Sequence, residues 1–186
     1  LQAVMRTAGI NVTLKRPKQK QPKHRSLTKE QRDLLIENAD DPDLKAWLCL
    51  MFFQACRTSE AVSLEWDNVD LPNGLALIGM TKTDDEEWTP LHERTIAALA
   101  NLPKQREKVL RWKTRSGPSK GLTKLCKRVG IKINAHMGRH TFGDLFHEQG
   151  GSLRDLMEAG RWKSPNSAMR YTGKRVERVR KGIAKL

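Results

Sequence analysis

His136, Arg139 and His140 stand at i, i+3 and i+4 in the stretch Ala135-His136-Met137-Gly138-Arg139-His140-Thr141-Phe142, and Trp162 and Tyr171 follow. On a helix this spacing puts two imidazoles and a guanidinium on one side. Tyr171 is the single tyrosine of the chain, so a phenolate nucleophile has one candidate. Together these groups suit phosphoryl transfer. A phosphodiester under attack is pentacoordinate and gathers negative charge on its non-bridging oxygens, so catalysis is mostly fixed cations and donors plus proton movement. Arginine is always charged and bidentate. Histidine accepts a proton near neutrality, and an indole N–H can only donate. A tyrosine can hold a DNA end as a phosphotyrosine ester, conserving the bond energy for rejoining.

Other chemistries fit less well. His136 and His140 one turn apart invite a metal ion, but the glutamate of an HExxH helix is replaced by Met137. No cysteine or carboxylate lies at ligand spacing either, so no metal and no cofactor is expected. A serine hydrolase would need a glycine-flanked serine, which the chain lacks.

The elements that must position these groups are legible from local signals. Thr28-Lys29-Glu30-Gln31 has capping-box spacing ahead of Leu34 and Leu35, so a helix begins near residue 28. Asp41-Pro42 opens a second helix, whose apolar stripe of Leu44, Trp47, Leu48, Met51, Phe52 and Ala55 is a buried one. It runs into Cys56-Arg57-Thr58-Ser59-Glu60, where an arginine at the opening of a new helix sits beside free N–H groups that suit an anion. The bland reading is a surface pair of Arg57 with Glu60, and spacing alone favours it. Between Trp66 and Leu91 three short extended runs read as an antiparallel meander, with Lys82 in its second connection and the acidic run Asp84–Glu87 beside it. Helices follow over His92–Leu102, around Leu122–Val129 closed by Gly130, over His136–Glu148 stopped at Gly150-Gly151, over Leu153–Ala159 behind Ser152, and from Ser164-Pro165. The fold class is therefore mainly α with a small three-stranded antiparallel β-sheet.

Charge points to the partner. Among 186 residues, 35 Lys and Arg outnumber 21 Asp and Glu, a formal net charge of +14. That excess favours a polyanion, most often nucleic acid. Residues 1–25 are read as the remnant of an upstream segment and a basic linker. Lys15, Arg16, Lys18, Lys20, Lys23 and Arg25 are placed to follow phosphates, with a plain solvated tether as the alternative. Between Lys104 and Arg128 stand ten Lys or Arg and one acid, Glu107. This block is the candidate backbone-binding face, with Lys113, Arg115, Lys120 and Lys124 as contacts, and a solvated charged surface as the rival. The three widely spaced cysteines fit reduced thiols, and with no spanning or signal segment the expected location is cytoplasmic.

With these residues assembled, the chain resembles the catalytic domain of the tyrosine recombinase (phage integrase) family over about residues 26–183. The first arginine box is similar to Ala55-Cys56-Arg57-Thr58-Ser59-Glu60-Ala61 with Leu64-Glu65-Trp66 and Val69-Asp70; the hairpin lysine to Lys82 in Thr-Lys-Thr; the His-x-x-Arg-His box to His136 through His140; the His-or-Trp position to Trp162; and the nucleophile to Tyr171, nine residues on. Each box alone is weak, and five in order are specific.

The resemblance implies a site-specific recombinase of double-stranded DNA, with residues 1–25 the remnant of a missing amino-terminal DNA-binding domain and residues 26–186 the catalytic domain. Tyr171 attacks, and Arg57 and Arg139 clamp the non-bridging oxygens. His136 moves the proton, Trp162 donates to the phosphate, Lys82 protonates the leaving 5′-oxygen, and Glu60 and His140 support. It also implies a tetramer on paired sites, with the basic tail 174–186 (Val176, Val179 and Ile183 along one side) exchanged between subunits. Ala55 stands where many members have Gly and Gly138 where many have Leu or Arg; neither position is expected to touch a catalytic group. A non-catalytic DNA-binding module of the same fold, a monomeric topoisomerase with related chemistry, and a basic ribosomal protein remain the rival readings.

Overall fold

The computed structural model describes residues 26–79, 88–134 and 136–171. The linker 1–25, Lys82 with the acidic run, and the tail 174–186 lie outside the described residues. Helix α1 (Lys29–Glu37) carries the full capping box: Thr28 Oγ1 accepts from the Gln31 N–H at 3.3 Å, and the Gln31 side chain accepts from the Thr28 N–H at 3.1 Å. Helix α2 (Pro42–Phe53) follows Asp41, whose carboxylate accepts from the Asp43 N–H. It is buried almost all round, so it is the axis of the main core rather than a surface helix with one apolar stripe.

A short helix α3 (Thr58–Ser63) leads into a 3-10 turn and a sheet of β1 (Val69–Asp70), β2 (Leu75–Leu77) and β3 (Trp88–Pro90), antiparallel and in the order β1-β2-β3. Helix α4 (Glu93–Ala100) packs on α2. The buried Gln54 amide, turned so that it donates to the Pro90 carbonyl and accepts from the His92 N–H, ties the end of α2 to the sheet exit.

Helix α5 (Ser119–Val129) ends at Gly130 in the left-handed conformation (φ 71°), as its glycine requires. Helix α6 (Met137–Glu148) starts behind Asn134, whose side-chain oxygen accepts from the N–H groups of His136 and Met137 at 3.0 and 3.2 Å. It crosses α2 at Gly138, where any Cβ would come within 2.7 Å of the Met51 methyl. Helix α7 (Leu153–Ala159), helix α8 (Pro165–Ala168) and a 3-10 turn ending at Tyr171 complete the described chain. Ala55, Leu156, Trp162, Ala168 and Tyr171, with Phe142 and Phe146 against them, form a second, smaller core.

Three arginines of the basic block are committed to the fold. Arg106 pairs with the buried Asp43 at 3.0 Å, Arg111 with Asp41 and Asp43, and Arg128 with Asp40. Lys104 lies over the Trp66 ring at 3.3 Å. The block is thus partly an intramolecular tie and not one uniform DNA face. Lys113, Arg115, Lys120 and Lys124 are exposed, and none of them is ion-paired among the described residues.

This split makes a prediction. Replacing Lys113 or Lys120 by Ala should weaken DNA binding uniformly across sequences and flatten the slope of log affinity against log salt by about 0.9 each. Arg111→Ala should lower Tm and leave that slope unchanged. Binding isotherms at several salt concentrations beside thermal melts separate the two.

Candidate active site

Two helix ends and the first turns of two other helices meet at one point. Helix α2 closes with Ala55 in the left-handed conformation (φ 50°), and α7 closes the same way with Arg161 (φ 53°). Both are positions where glycine is favoured, because a Cβ is strained there. At the first, the Cys56 N–H bonds back to the Leu50 carbonyl at 3.1 Å, and at the second the Trp162 N–H bonds to Met157 at 2.9 Å.

Between these ends lies Arg139, on the first turn of α6 and 9% exposed. Its guanidinium donates to the Ala55 carbonyl at 2.7 Å and to the Gly160 carbonyl at 2.8 Å. A cation at two helix C-terminal ends is favoured by both dipoles. Ala55, expected to touch no catalytic group, instead supplies the carbonyl that orients Arg139. The ring of Trp162 lies beneath the guanidinium, 4.6 Å from centroid to Cζ, in a cation–π contact. Gly160 is required by that ring, since a Cβ there would fall 1.7 Å from Trp162 Cζ3.

Glu60, on the first turn of α3, is the hub of the charges. Its carboxylate accepts from the Arg57 backbone N–H at 2.7 Å and from the Arg57 guanidinium at 2.5 Å. Its Oε2 also lies 3.9 Å from Arg139 and 3.7 Å from Arg161. Arg57 and Arg139 therefore share one carboxylate and stand on one side of the molecule. The Arg57–Glu60 pair that spacing alone favoured is present, and it is part of this cluster. Gly79, the last described residue before the Lys82 segment, also packs against Glu60, with its Cβ position 3.5 Å from Cδ.

Burial pushes the Glu60 carboxyl up, but the Arg57 N–H, the Arg57 guanidinium and Arg161 together hold it below the ordinary carboxylate value. Burial, followed by the charge of Arg57, brings Arg139 down to about 10, so it remains a cation at neutral pH.

Tyr171 is 5% exposed, and its ring fills the space above Gly143, where a Cβ would come within 2.5 Å of it. Its hydroxyl lies 2.8 Å from His140 Nδ1. Burial raises its pKa above the ordinary phenol value, and the charge of Arg139 opposes that rise. The nucleophile candidate is thus docked beside the arginines in the free chain. His136 is exposed at the N-cap position of α6, one turn ahead of Arg139.

The geometry brings together Arg57, Glu60, Arg139, His140, Trp162 and Tyr171. Arg161 and Asn134 belong to the site and escaped sequence reasoning. Asn134 was findable as a helix cap two residues ahead of the His136 box. Arg161 read as a loop residue, and only its left-handed backbone and its contacts mark it. Burial raises the Cys49 and Cys56 thiols to about 11 and about 12, which favours the protonated form at neutral pH. No helix among the described residues is long and apolar enough to cross a membrane.

Comparison with known proteins gives the family and the fold. The model of the phage integrase family matches residues 25–178. Tyrosine recombinase XerA of Pyrococcus horikoshii is 23% identical over 184 residues, and the chain spans about 65% of the length of that relative. The crystal structure of XerA recombinase superposes with a TM-score of 0.73 at 20% identity, covering 99% of this chain and 72% of that one. A lambda integrase dimer bound to a COC' core site superposes with a TM-score of 0.67 at 16% identity, covering 86% and 51%.

Proposed function

We propose that this chain, which belongs to the phage integrase family of tyrosine recombinases, is a site-specific recombinase that cuts and rejoins DNA through a 3′-phosphotyrosine ester. One observation carries the reading: the only phenol of the chain hydrogen-bonds to an imidazole, His140, directly beside an arginine held rigid at two helix ends. Tyr171 Oη attacks the scissile phosphorus while its proton passes to His140 Nδ1, in the tautomer that carries its hydrogen on Nε2. The bond from phosphorus to the 5′-oxygen breaks, and Lys82 protonates that oxygen. Attack of a 5′-hydroxyl on the ester reverses the steps and rejoins a strand.

Here His140 takes the proton role assigned to His136 by the resemblance, because it is the imidazole within hydrogen-bond reach of the phenol. His136, exposed at the start of α6, is left to donate to a non-bridging oxygen. Arg57 and Arg139 clamp the non-bridging oxygens. Trp162 keeps Arg139 in its plane, and its indole N–H is the donor assigned to the phosphate. The test is a duplex with a nick beside the cleavage position, which loses a short 5′-hydroxyl fragment on cutting. A protein–DNA adduct that survives denaturing electrophoresis supports the reading, and its absence in the presence of a cognate site overturns it.

Relatives of this chain act on DNA as assemblies, and the lambda integrase structure is a dimer on its core site. The tail 174–186 is proposed to dock on a neighbouring subunit of a tetramer through Val176, Val179 and Ile183. Truncation after Gly173 should leave Tm within a few degrees and disrupt assembly on DNA in sedimentation. A truncated protein that melts far lower would place the tail in its own core and end this part of the proposal.

A further inference from the structure

We infer that Arg161 is a positioning residue that takes over Glu60 when Arg57 turns outward to a DNA phosphate. The inference rests on the reading of Arg57 as a phosphate clamp.

The three arginines around Glu60 are not equivalent. The Arg57 side chain is 60% exposed, although one end reaches the carboxylate. It can leave. Arg139 cannot come closer, because both its terminal nitrogens are bound to the carbonyls of Ala55 and Gly160. Arg161 is held by one nitrogen only: Nη2 donates to the Gln54 carbonyl at 2.8 Å, with Cys56 Sγ at 3.8 Å and Glu60 Oε2 at 3.7 Å. Its Nη1 is buried without a hydrogen-bond partner among the described residues. When Arg57 swings to a phosphate, Glu60 keeps the Arg57 backbone N–H but loses the guanidinium. A carboxylate whose side chain is only 13% exposed then needs a second donor. The unused face of Arg161 is the nearest one that can shift without breaking a bond to the site.

The backbone points the same way. Arg161 occupies a left-handed conformation that a glycine would hold without strain. The guanidinium is what the chain obtains from a non-glycine residue there. Charge supplies a second argument. Arg161 adds one fixed positive charge beside Glu60, within the cluster that faces the step where negative charge peaks.

Arg161→Gly is the clean variant, since it removes the guanidinium and relieves the backbone, so Tm should hold or rise. On the nicked duplex its cleavage rate should fall by about tenfold to a hundredfold while DNA affinity changes little, as expected when a buried charge loses its partner. Arg161→Lys should recover part of the loss. Arg161→Gly cleaving at the wild-type rate would overturn the inference and leave the proposed function standing.

A readout that needs no activity comes from the Glu60 carboxyl, followed by carbon NMR through an acid titration. The charged groups facing it are Arg57 from its own helix, Arg139 from α6 and Arg161 from the turn after α7, with the Cys56 thiol beside them. Arg57→Met alone should leave Glu60 titrating low, because Arg161 moves onto it. Adding Arg161→Gly to that background should raise its titration by more than Arg161→Gly does in the wild type. Equal shifts in the two backgrounds would overturn the inference, even if the protein were found to form no adduct at all.

Discussion

Tyr171→Phe will abolish the covalent protein–DNA adduct and leave DNA affinity almost unchanged. The chain contains no other phenol, so no neighbouring residue can substitute. The phenylalanine ring keeps the packing over Gly143 and against Trp162, whose ring centroid is 5.1 Å away. The bond to His140 is lost, and one hydrogen bond is worth about 1 kcal/mol net. The fold should therefore survive.

The variant also has a signature at high pH. Burial raises the Tyr171 pKa, so from about pH 10 upward the unfolded chain releases this proton before the folded one. The wild type must lose stability as pH rises from there through the folded-state value, and below that window the group adds no pH dependence. Tyr171→Phe should remove this part of the alkaline decline, as measured by denaturant unfolding across the range. An adduct that persists in the phenylalanine variant would eliminate the mechanism.

Arg139→Ala should show the second large effect, and it should strike catalysis and stability together. Loss of a transition-state donor costs about 3–4 kcal/mol, or roughly 100- to 1,000-fold in cleavage rate. Arg139 also satisfies two carbonyls at helix ends in the interior. Orphaning them costs about 2 kcal/mol or more, which for a chain of this size is a fall in Tm of roughly 4–8 °C. Arg57→Ala should cost a similar factor in cleavage with a smaller change in Tm, because its side chain is largely exposed. Equal melting losses in the two variants would show that the contrast in burial has no energetic consequence. Arg139→Lys should fare little better than alanine, since one ammonium cannot reproduce a planar fork aimed at two carbonyls.

How much of this was readable beforehand depended on the range of the signal. The helix starts at Thr28, Asp41 and Ser152 and the stop at Gly130 were legible because caps act over three or four residues. The site boxes were legible as an ordered set, although spacing alone left Arg57 as a surface residue. What stayed hidden was tertiary. Arg106 and Arg111 fell inside the block read as a candidate backbone-binding face, and only the structure pairs them with Asp43, more than sixty positions away in the chain. The choice between His136 and His140 could not be made from a helical spacing that puts both on one side. The contact of the Tyr171 hydroxyl with His140, 31 residues away and 2.8 Å apart, is visible only in space. Ala55 and Arg161 gave no sign of their left-handed backbones, because the residue types argue against that conformation.

The small second core has a further consequence, for tempo. Tyr171 is itself one of its five buried members, and helices α7 and α8 pack around it with little support from the main core. A unit of that size opens locally at far lower free energy than the helices around α2, so its amides should exchange with solvent hydrogen as one group and well before them. The candidate nucleophile is thus expected to ride on a part of the described fold that opens more readily than the helices around α2. A ligand that tightens this unit would slow the breathing and hold the phenol at its post; one that loosens it would withdraw the phenol without touching a single catalytic group.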